Sequence, residues 1–444
     1  MFNLILKKKI FIFILLFSLS RLIIFFTIGH NNIPDFMQFA DINLLKNELL
    51  ETLFYLHSQP PFLNFIIGII LKITNGNLNY FSYFFYFFNL SFSIGIIFYS
   101  YKILKIFNIN EKITFIIILF LIFNPNIIYY ENYSSPLYSH LVCFLFFQLT
   151  YCLFKFFKEN NLRSEIYIYI NLLLLSSIWP AWQPYLILLV YLMIFVLVKK
   201  FNRNSFIAFL ICFFIALIPS IKNKILFDSF SNSSASGIYL STVFVPEPNC
   251  SKHKYIKTED IENAKKKYPL EYFQKKSLWG NQSEENNLAL IFKSKRCFVY
   301  AINRIKENPT DYIKNRTIQF IISHSKFGFE NVRAAPDVGK PYWIISYLDK
   351  FDSKFKIYKQ LLIFSYMMFV YLFLILILFS KKKSNNIKFA NFIFLTIYFY
   401  YLFVTNLLDG GYEITRMVYG GFIMQIVFFA NFIKFFQKFR KLNY

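Results

Sequence analysis

The chain has 444 residues, of which 56% are hydrophobic and only 16% are charged. A water-soluble domain carries about 25% charged residues. Here the apolar residues form long runs, so the composition excludes an ordinary soluble protein and predicts an integral membrane protein in contact with lipids. The net charge of +24 does not indicate a nucleic-acid partner, because much of the lysine and arginine lies in short segments between the apolar runs, as membrane topology requires.

Apolar segments along the chain predict an all-α polytopic membrane protein with about ten spanning helices. The predicted spans are 10–28, 80–101, 113–130, 135–154, 165–180, 183–198, 205–221, 358–380, 388–406 and 415–434. Under this arrangement the basic residues of the short connections, such as Lys7, Lys102 and Lys199, all fall on one side of the membrane. That side is cytoplasmic by the positive-inside rule, so both termini are predicted to be cytoplasmic.

The spans divide the chain into three predicted parts. The N-terminal membrane module, 1–221, holds seven spans and a first outer loop, 29–79, with surface helices. A non-cytoplasmic insert, 222–357, follows it and is long enough for a small domain or cap. The C-terminal module, 358–444, holds three spans.

The first outer loop contains a predicted amphipathic helix that lies on the membrane surface. Its apolar face consists of side chains at helical spacing, Ile42, Leu45, Leu49, Leu53 and Leu56. Two acidic residues precede or begin this helix. Asp35 follows Pro34 and either caps the helix or has a functional role, and Asp41 is either a solvated surface residue or a functional one.

The next apolar stretch, 60–72, is the doubtful one for topology. It has about 13 residues, fewer than the 17–25 that a membrane span needs. Counting it as a span would place Lys102 and its neighbours outside and invert every later loop. We therefore predict an interfacial or re-entrant helix on the outer face.

Polar and aromatic residues recur at the predicted outer membrane surface. Glu131 is expected in a loop of about four residues between two spans, where it is either a functional acid or a turn residue in headgroup water. His140 is expected to form a hydrogen bond inside the bundle. Trp179, Trp182 and Tyr185 are interpreted as an aromatic belt at the outer interface.

The five cysteines are distributed unevenly along the chain. Cys143, Cys152 and Cys212 lie in apolar runs and are expected to be small buried hydrophobes. Cys250 and Cys297 share the insert and can form a disulfide if the insert faces an oxidising space.

Two basic residues are candidates for holding a phosphate group. Arg416 lies three residues after Glu413 near the last span, so it either forms a local ion pair or clamps phosphate oxygens, which suit the guanidinium group. Arg333 lies in a polar patch, 327–343, just before the eighth span, and this patch can contact headgroups, a lipid phosphate or a sugar ring.

The order of features in the first outer loop resembles the C-type membrane glycosyltransferases. An acidic residue after the first helix is followed by the amphipathic helix and then by His57 to Asn64, HSQPPFLN, which leads into an apolar segment. This is similar to family 39, the group of dolichyl-phosphate-mannose–protein mannosyltransferases and aminoarabinose transferases. The resemblance covers about residues 1–240 in helix order and loop placement, and it is weak in the insert.

The resemblance implies a C-type transmembrane fold and an enzyme of the cell envelope, in a bacterial inner membrane. Such an enzyme takes sugar from a polyprenyl-phosphate carrier and transfers it, by an inverting single displacement, to a hydroxyl of a lipid, glycan or protein. The carrier-linked sugar is the expected donor substrate, no other cofactor is expected, and a divalent metal is left open.

The resemblance also implies roles for individual residues. Asp35 is the base or orients the acceptor, although the paired Asp-Glu that is common in the family is Asp35-Phe36 here, so Asp41 is the alternative acid. The other implied site residues bind substrate, namely His57, Gln59, Glu131, Tyr133 and Glu413, or hold the phosphate, namely Arg333 or Arg416.

Two other functions compete with glycosyl transfer. A transporter or lipid flippase would need ionisable residues or broken helices in the middle of the bilayer, and the apolar runs show neither in sequence. A non-catalytic scaffold for envelope assembly is the third possibility, and the acidic clusters of the outer loops make it less attractive.

Overall fold

The structure is a computed structural model, and it describes residues 12–23, 40–132, 138–199, 201–241, 250, 256–269, 287–325, 362, 364–379, 385–408 and 423–440. These residues form an all-helical protein. The helices are α1 (Ile12–Ile23), α2 (Ile42–Asn47), α3 (Leu49–Tyr55), α4 (Pro61–Ile73), α5 (Leu78–Ile106), α6 (Glu111–Ile122), α7 (Pro125–Asn132), α8 (Ser139–Glu159), α9 (Leu162–Ile178), α10 (Tyr185–Val198), α11 (Arg203–Phe227), α12 (Ser236–Ser241), α13 (Thr258–Lys265), α14 (Ala289–Glu307), α15 (Pro309–Ser325), α16 (Phe364–Phe379), α17 (Asn385–Leu408) and α18 (Ile423–Arg440).

Four of the described helices are long and apolar enough to cross a membrane, namely α5, α8, α11 and most of α17. Each of the ten predicted spans coincides with at least one helix. The third predicted span is divided, because α6 ends at Ile122 and α7 begins at Pro125. Proline suits the first position of a new helix, and the side chain of Asn124 accepts a hydrogen bond from the backbone N–H of Ile127 at 3.3 Å.

Helix α8 is the centre of the bundle, and α11 lies at its periphery. In the most apolar stretch of each helix, 78% of the α8 residues are buried, against 28% of the α11 residues. Helix α8 packs against α5, α9 and α17, and Gly95 allows α5 to approach the ring of Phe144 closely. Ile211, Phe214 and Ile218 of α11 are exposed, which is the pattern of a helix whose apolar side chains face lipid.

The predicted amphipathic helix of the first outer loop is two helices, because the chain bends at Glu48 between α2 and α3. Three of the five residues of the predicted apolar face, Leu45, Leu49 and Leu56, are buried in the protein. Helix α2 packs against α4. Gly68 of α4 lies at the contact with both helices, because a Cβ atom there would lie 2.3 Å from Leu49 Cδ1 of α3 and 3.1 Å from the backbone oxygen of Leu45 of α2.

Helix α4 corresponds to the segment 60–72, for which the sequence left open whether it spans the membrane. It has 13 residues. At 1.5 Å per residue it is about 20 Å long, shorter than the roughly 30 Å hydrocarbon core. It begins at Pro61, whose missing N–H is no loss at a helix start. The side-chain oxygen of Asn64, in this helix, accepts a hydrogen bond from the backbone N–H of Ala40 at 3.0 Å.

The described part of the insert is a packed helical unit. Helix α12 crosses α14 at Gly237, where a Cβ atom would lie 2.0 Å from the backbone oxygen of Ser294. Helix α13 is joined to α14 by an ion pair between the buried Asp260 and Arg296, with a closest distance of 2.6 Å. Hydrogen bonding to Asp260 raises the pKa of Arg296, so this cation stays charged at every physiological pH.

Two connections with many lysines meet at one end of the bundle. Lys105, near the end of α5, pairs with Glu111 of α6 at 3.0 Å. Lys158, near the end of α8, donates a hydrogen bond to the backbone oxygen of Ile106 at 3.0 Å. The sequence assigns both connections to the cytoplasmic side, and the structure brings them together.

Candidate functional site

A buried ion pair joins α1 to α7. The guanidinium of Arg21 donates two hydrogen bonds to the carboxylate of Glu131, Nε to Oε2 at 2.7 Å and Nη2 to Oε1 at 2.6 Å. Arg21 also donates to Ser20 Oγ at 3.0 Å and to the backbone oxygen of Ile122. Arg21 is 4% exposed and Glu131 is 0% exposed. The prediction that Glu131 lies in a surface loop is therefore wrong, because it belongs to α7 and points into the bundle.

A second buried polar contact lies beside this pair. Ser93 of α5 and His140 of α8 form a hydrogen bond of 2.8 Å between Oγ and Nε2, so the expected hydrogen bond of His140 inside the bundle is confirmed. The ring of Tyr130, the residue before Glu131, stacks on His140 with centroids 6.4 Å apart. Four helices, α1, α5, α7 and α8, thus contribute to one polar region inside an apolar bundle.

An apolar groove of about 680 Å³ leads to this polar region between α1, α5 and α6. Most of its lining residues are apolar, and they include Phe17 and Ile94. Two basic residues also line it. Arg21 lies near the end of α6, and Lys102 lies near the C-terminal end of α5. Ligand sites of small molecules are usually clefts of 300–1,000 Å³ with mostly apolar walls and a few polar groups. The groove has both properties.

The predicted residue His57 lies in the connection between α3 and α4, and it is completely buried. Its Nδ1 is 2.5 Å from Ser234 Oγ, and its backbone oxygen accepts a hydrogen bond from the N–H of Ser234 at 2.8 Å. Ser233 Oγ donates to the backbone oxygen of Ser58 at 2.5 Å. Lys222 donates to the backbone oxygen of Leu56. The first outer loop is therefore joined directly to the start of the insert, which the sequence places on the same side.

The first outer loop also contains two other predicted site residues, Asp41 and Gln59. Asp41 caps α2, because its Oδ1 accepts hydrogen bonds from the N–H groups of Asn43 and Leu44 at 2.8 and 3.3 Å. Its second oxygen, Oδ2, is buried and has no hydrogen-bond partner, and the same is true of Gln59 Oε1. Asp41 thus has a structural role, and each of these side chains keeps one acceptor atom available.

The tryptophans that the sequence assigns to an interfacial belt are buried. Trp179 is 4% exposed and Trp182 is 1% exposed, whereas Tyr185 is 54% exposed. Both tryptophans lie 5.5 Å, centroid to centroid, from the ring of Tyr401 in α17. The belt prediction is wrong for the tryptophans because α17, more than two hundred residues later, covers them. Trp182 Nε1 and the hydroxyl of Tyr401 are buried without a hydrogen-bond partner.

We expect Tyr401→Phe to raise the free energy of unfolding by about 1–3 kcal/mol, because it removes a buried hydroxyl without a partner. Thermal unfolding in detergent, followed by tryptophan fluorescence, measures the change. Tyr398→Phe is the matched control, since Tyr398 and Tyr371 hydroxyls lie 3.4 Å apart. The control should lower the stability. A loss of stability of similar size in Tyr401→Phe would contradict the assignment.

The structure divides the predicted site residues into two groups. His57, Gln59 and Asp41 lie in the first outer loop, whereas Glu131 belongs to the ion pair with Arg21. The remaining predicted site residues lie outside the described residues, namely Asp35, Tyr133, Arg333, Glu413 and Arg416.

Arg21 is the functional candidate that the sequence reasoning did not include. A lone arginine at the end of an apolar run was the available signal, because such a charge is kept only with a partner.

Within the described residues, no group of three or more His, Cys, Asp or Glu side chains could hold a metal ion.

The chain was compared with known proteins at the level of families, single proteins and folds. No family model matches it, and no curated protein and no solved structure matches it significantly.

Proposed function

We propose that the chain is an integral membrane glycosyltransferase with about ten spans. It transfers a sugar from a polyprenyl-phosphate carrier to a lipid, glycan or protein acceptor on the non-cytoplasmic face of a bacterial inner membrane. The observation that carries the proposal is the apolar groove of about 680 Å³ whose lining includes Arg21, the buried partner of Glu131. An isoprenoid chain suits its walls, and a polar headgroup suits its polar end.

The two ends of the bundle support the sidedness of the proposal. One end gathers lysines of connections that the positive-inside rule assigns to the cytoplasm, including Lys105 and Lys158. The other end joins His57 to Ser234 of the insert. A reporter fused near Asn77 should accordingly face the non-cytoplasmic side.

The chemistry needs a base and a phosphate holder. A carboxylate, Asp35 with Asp41 as the alternative, takes the proton of the acceptor hydroxyl. The acceptor oxygen then attacks the anomeric carbon, and the carrier phosphate leaves with the electrons of the broken C–O bond. Arg333 or Arg416 holds the negative charge that develops on that phosphate. The cap that Asp41 forms on α2 favours Asp35 as the base.

The test uses purified protein in detergent with a polyprenyl-phosphate sugar, and it measures the release of the carrier phosphate. We expect Asp35→Asn to lower the rate by about 100-fold or more, because a general base contributes 10²–10⁴-fold. Expression and thermal unfolding should be unchanged.

Asp228→Asn is the matched control for Asp35→Asn. Asp228 is exposed at the end of α11 and has a φ of +54°, a conformation that asparagine adopts readily. This variant should retain wild-type activity. Full activity of Asp35→Asn would overturn the role of Asp35, and no carrier release by the wild type with any carrier-linked sugar would overturn the proposed function.

A transporter or flippase of lipid-linked sugars is the second candidate, and two structural observations favour it. The ion pair of Arg21 and Glu131 is buried inside the bundle, and the third predicted span is broken between Ile122 and Pro125. Arg21 lies within the predicted span 10–28, and the break lies within the predicted span 113–130. Vesicles that carry the protein separate the two functions, because a flippase moves the intact lipid across the bilayer and releases no carrier phosphate.

A further inference from the structure

Two cysteines of the insert, 47 residues apart in sequence, meet in one apolar cluster. Cys297 of α14 is completely buried and packs with Ala235, Ile238 and Leu290, and Cys250 lies against the same cluster. The Cys297 thiol donates a hydrogen bond to the backbone oxygen of Cys250 at 3.5 Å. Both cysteines are in the thiol form in the structure.

The surroundings fix both partners in place. Ser241 Oγ donates to the backbone oxygen of Cys250 at 3.1 Å, which ties residue 250 to the end of α12. Helix α12 is itself held against α14 at Gly237, where the two helices touch. Because both attachments lead to the same pair of helices, the thiols stay adjacent without a covalent bond.

We propose that Cys250 and Cys297 form a disulfide in the mature protein. The proposal rests on the non-cytoplasmic orientation of the insert, where disulfides form and persist, and it does not depend on glycosyl transfer. A disulfide of an oxidising thiol–disulfide exchange protein is the oxidant. The two thiols lose two protons and two electrons to it, one S–S bond forms in the insert, and the oxidant's S–S bond is reduced to a dithiol.

The order of steps follows from the accessibility of the two thiols. Burial, together with the neighbouring Cys250, raises the pKa of Cys297 to about 12. A thiolate is the attacking species in disulfide exchange, so Cys297 is a poor first nucleophile at neutral pH. Cys250 is partly exposed. It reacts first with the oxidant, and Cys297 then displaces the oxidant from the mixed disulfide.

The test counts free thiols in protein extracted from membranes directly into denaturant that contains an alkylating reagent. The chain has five cysteines, and we expect intact mass spectrometry to show three alkylated residues without reductant and five after reduction. Cys143, Cys152 and Cys212 are buried in the bundle and remain free thiols. Peptide mapping should find residues 250 and 297 in one cross-linked species.

Single variants control for cross-links between other partners. Cys250→Ser and Cys297→Ser should each show four alkylated residues with or without reductant. Reduction should lower the melting temperature of the wild type, and it should leave that of the double serine variant unchanged. Five alkylated residues in unreduced wild type, or a cross-link that survives in either single variant, would overturn the proposal. Glycosyl transfer enters none of these measurements, so its absence leaves the outcome unaffected.

Discussion

Glu131→Ala should lower the free energy of unfolding by about 3–5 kcal/mol, the loss observed when one partner of a buried ion pair is removed. The carboxylate accepts two hydrogen bonds from Arg21 at 2.7 and 2.6 Å. Without it, the guanidinium would remain charged at a site that is 4% exposed. Chemical unfolding in detergent, followed by circular dichroism, measures the loss.

The double variant Arg21→Met/Glu131→Leu is the control for this prediction. Apolar residues of similar volume can replace a buried ion pair with little loss of stability, so the double variant should unfold close to the wild type. Wild-type stability of Glu131→Ala alone would contradict the assignment of the pair. A stable double variant without carrier release would show that the pair also takes part in the proposed reaction.

Gly237→Ala should be the most damaging small substitution in the insert. The new Cβ atom would lie 2.0 Å from the backbone oxygen of Ser294 and 2.9 Å from the backbone nitrogen of Phe298. Backbone atoms of a packed helix cannot move aside as a flexible side chain can, so α12 must separate from α14. Overpacking of this kind costs about 1–3 kcal/mol, and sometimes more. Limited proteolysis of the insert should show faster cleavage, and the melting temperature should fall.

Gly68→Ala is the matched control, because it is the same change at another helix crossing. Its closest neighbour is Leu49 Cδ1 at 2.3 Å, the end of a flexible side chain, and the nearest backbone atom, the oxygen of Leu45, lies farther away at 3.1 Å. The control should therefore lose less stability than Gly237→Ala. Equal losses in the two variants would show that the contact with the backbone of Ser294 is not the cause.

The parts of the fold that depend on local sequence could be predicted. A run of apolar residues that is long enough to cross a membrane predicts a helix. Every predicted span accordingly overlaps at least one helix. The length of the segment 60–72 set it apart from the spans, and the structure has a helix of 13 residues there, Pro61–Ile73. The hydrogen bond of His140 inside the bundle could be predicted because a polar ring in an apolar helix needs a partner.

The parts that depend on distant contacts could not be predicted. Arg21 and Glu131 are 110 residues apart in sequence, and neither residue identifies the other. Tryptophans such as Trp179 and Trp182 are typical of an interfacial belt. Only the position of Tyr401 in α17 shows that these two are buried under that helix. The contact of His57 with Ser234 spans 177 residues. Of the candidate site, Glu131 and His57 could be singled out from the sequence, whereas Arg21 and the partners of all three could not.

The ion pair of Arg21 and Glu131 has a consequence for the order of assembly. For a chain that enters a bilayer from its N-terminus, Arg21 is synthesised 110 residues before its partner. An unpaired arginine is unfavourable by up to about 2.5–3.5 kcal/mol on insertion scales, the value at the centre of a spanning helix. Under the proposed topology, α1 is therefore held in the bilayer weakly until α7 is made, and it can tilt or slide toward the headgroups. The arrival of Glu131 would lock it in place, so that the first helix to enter takes its final position only after the helices that follow it.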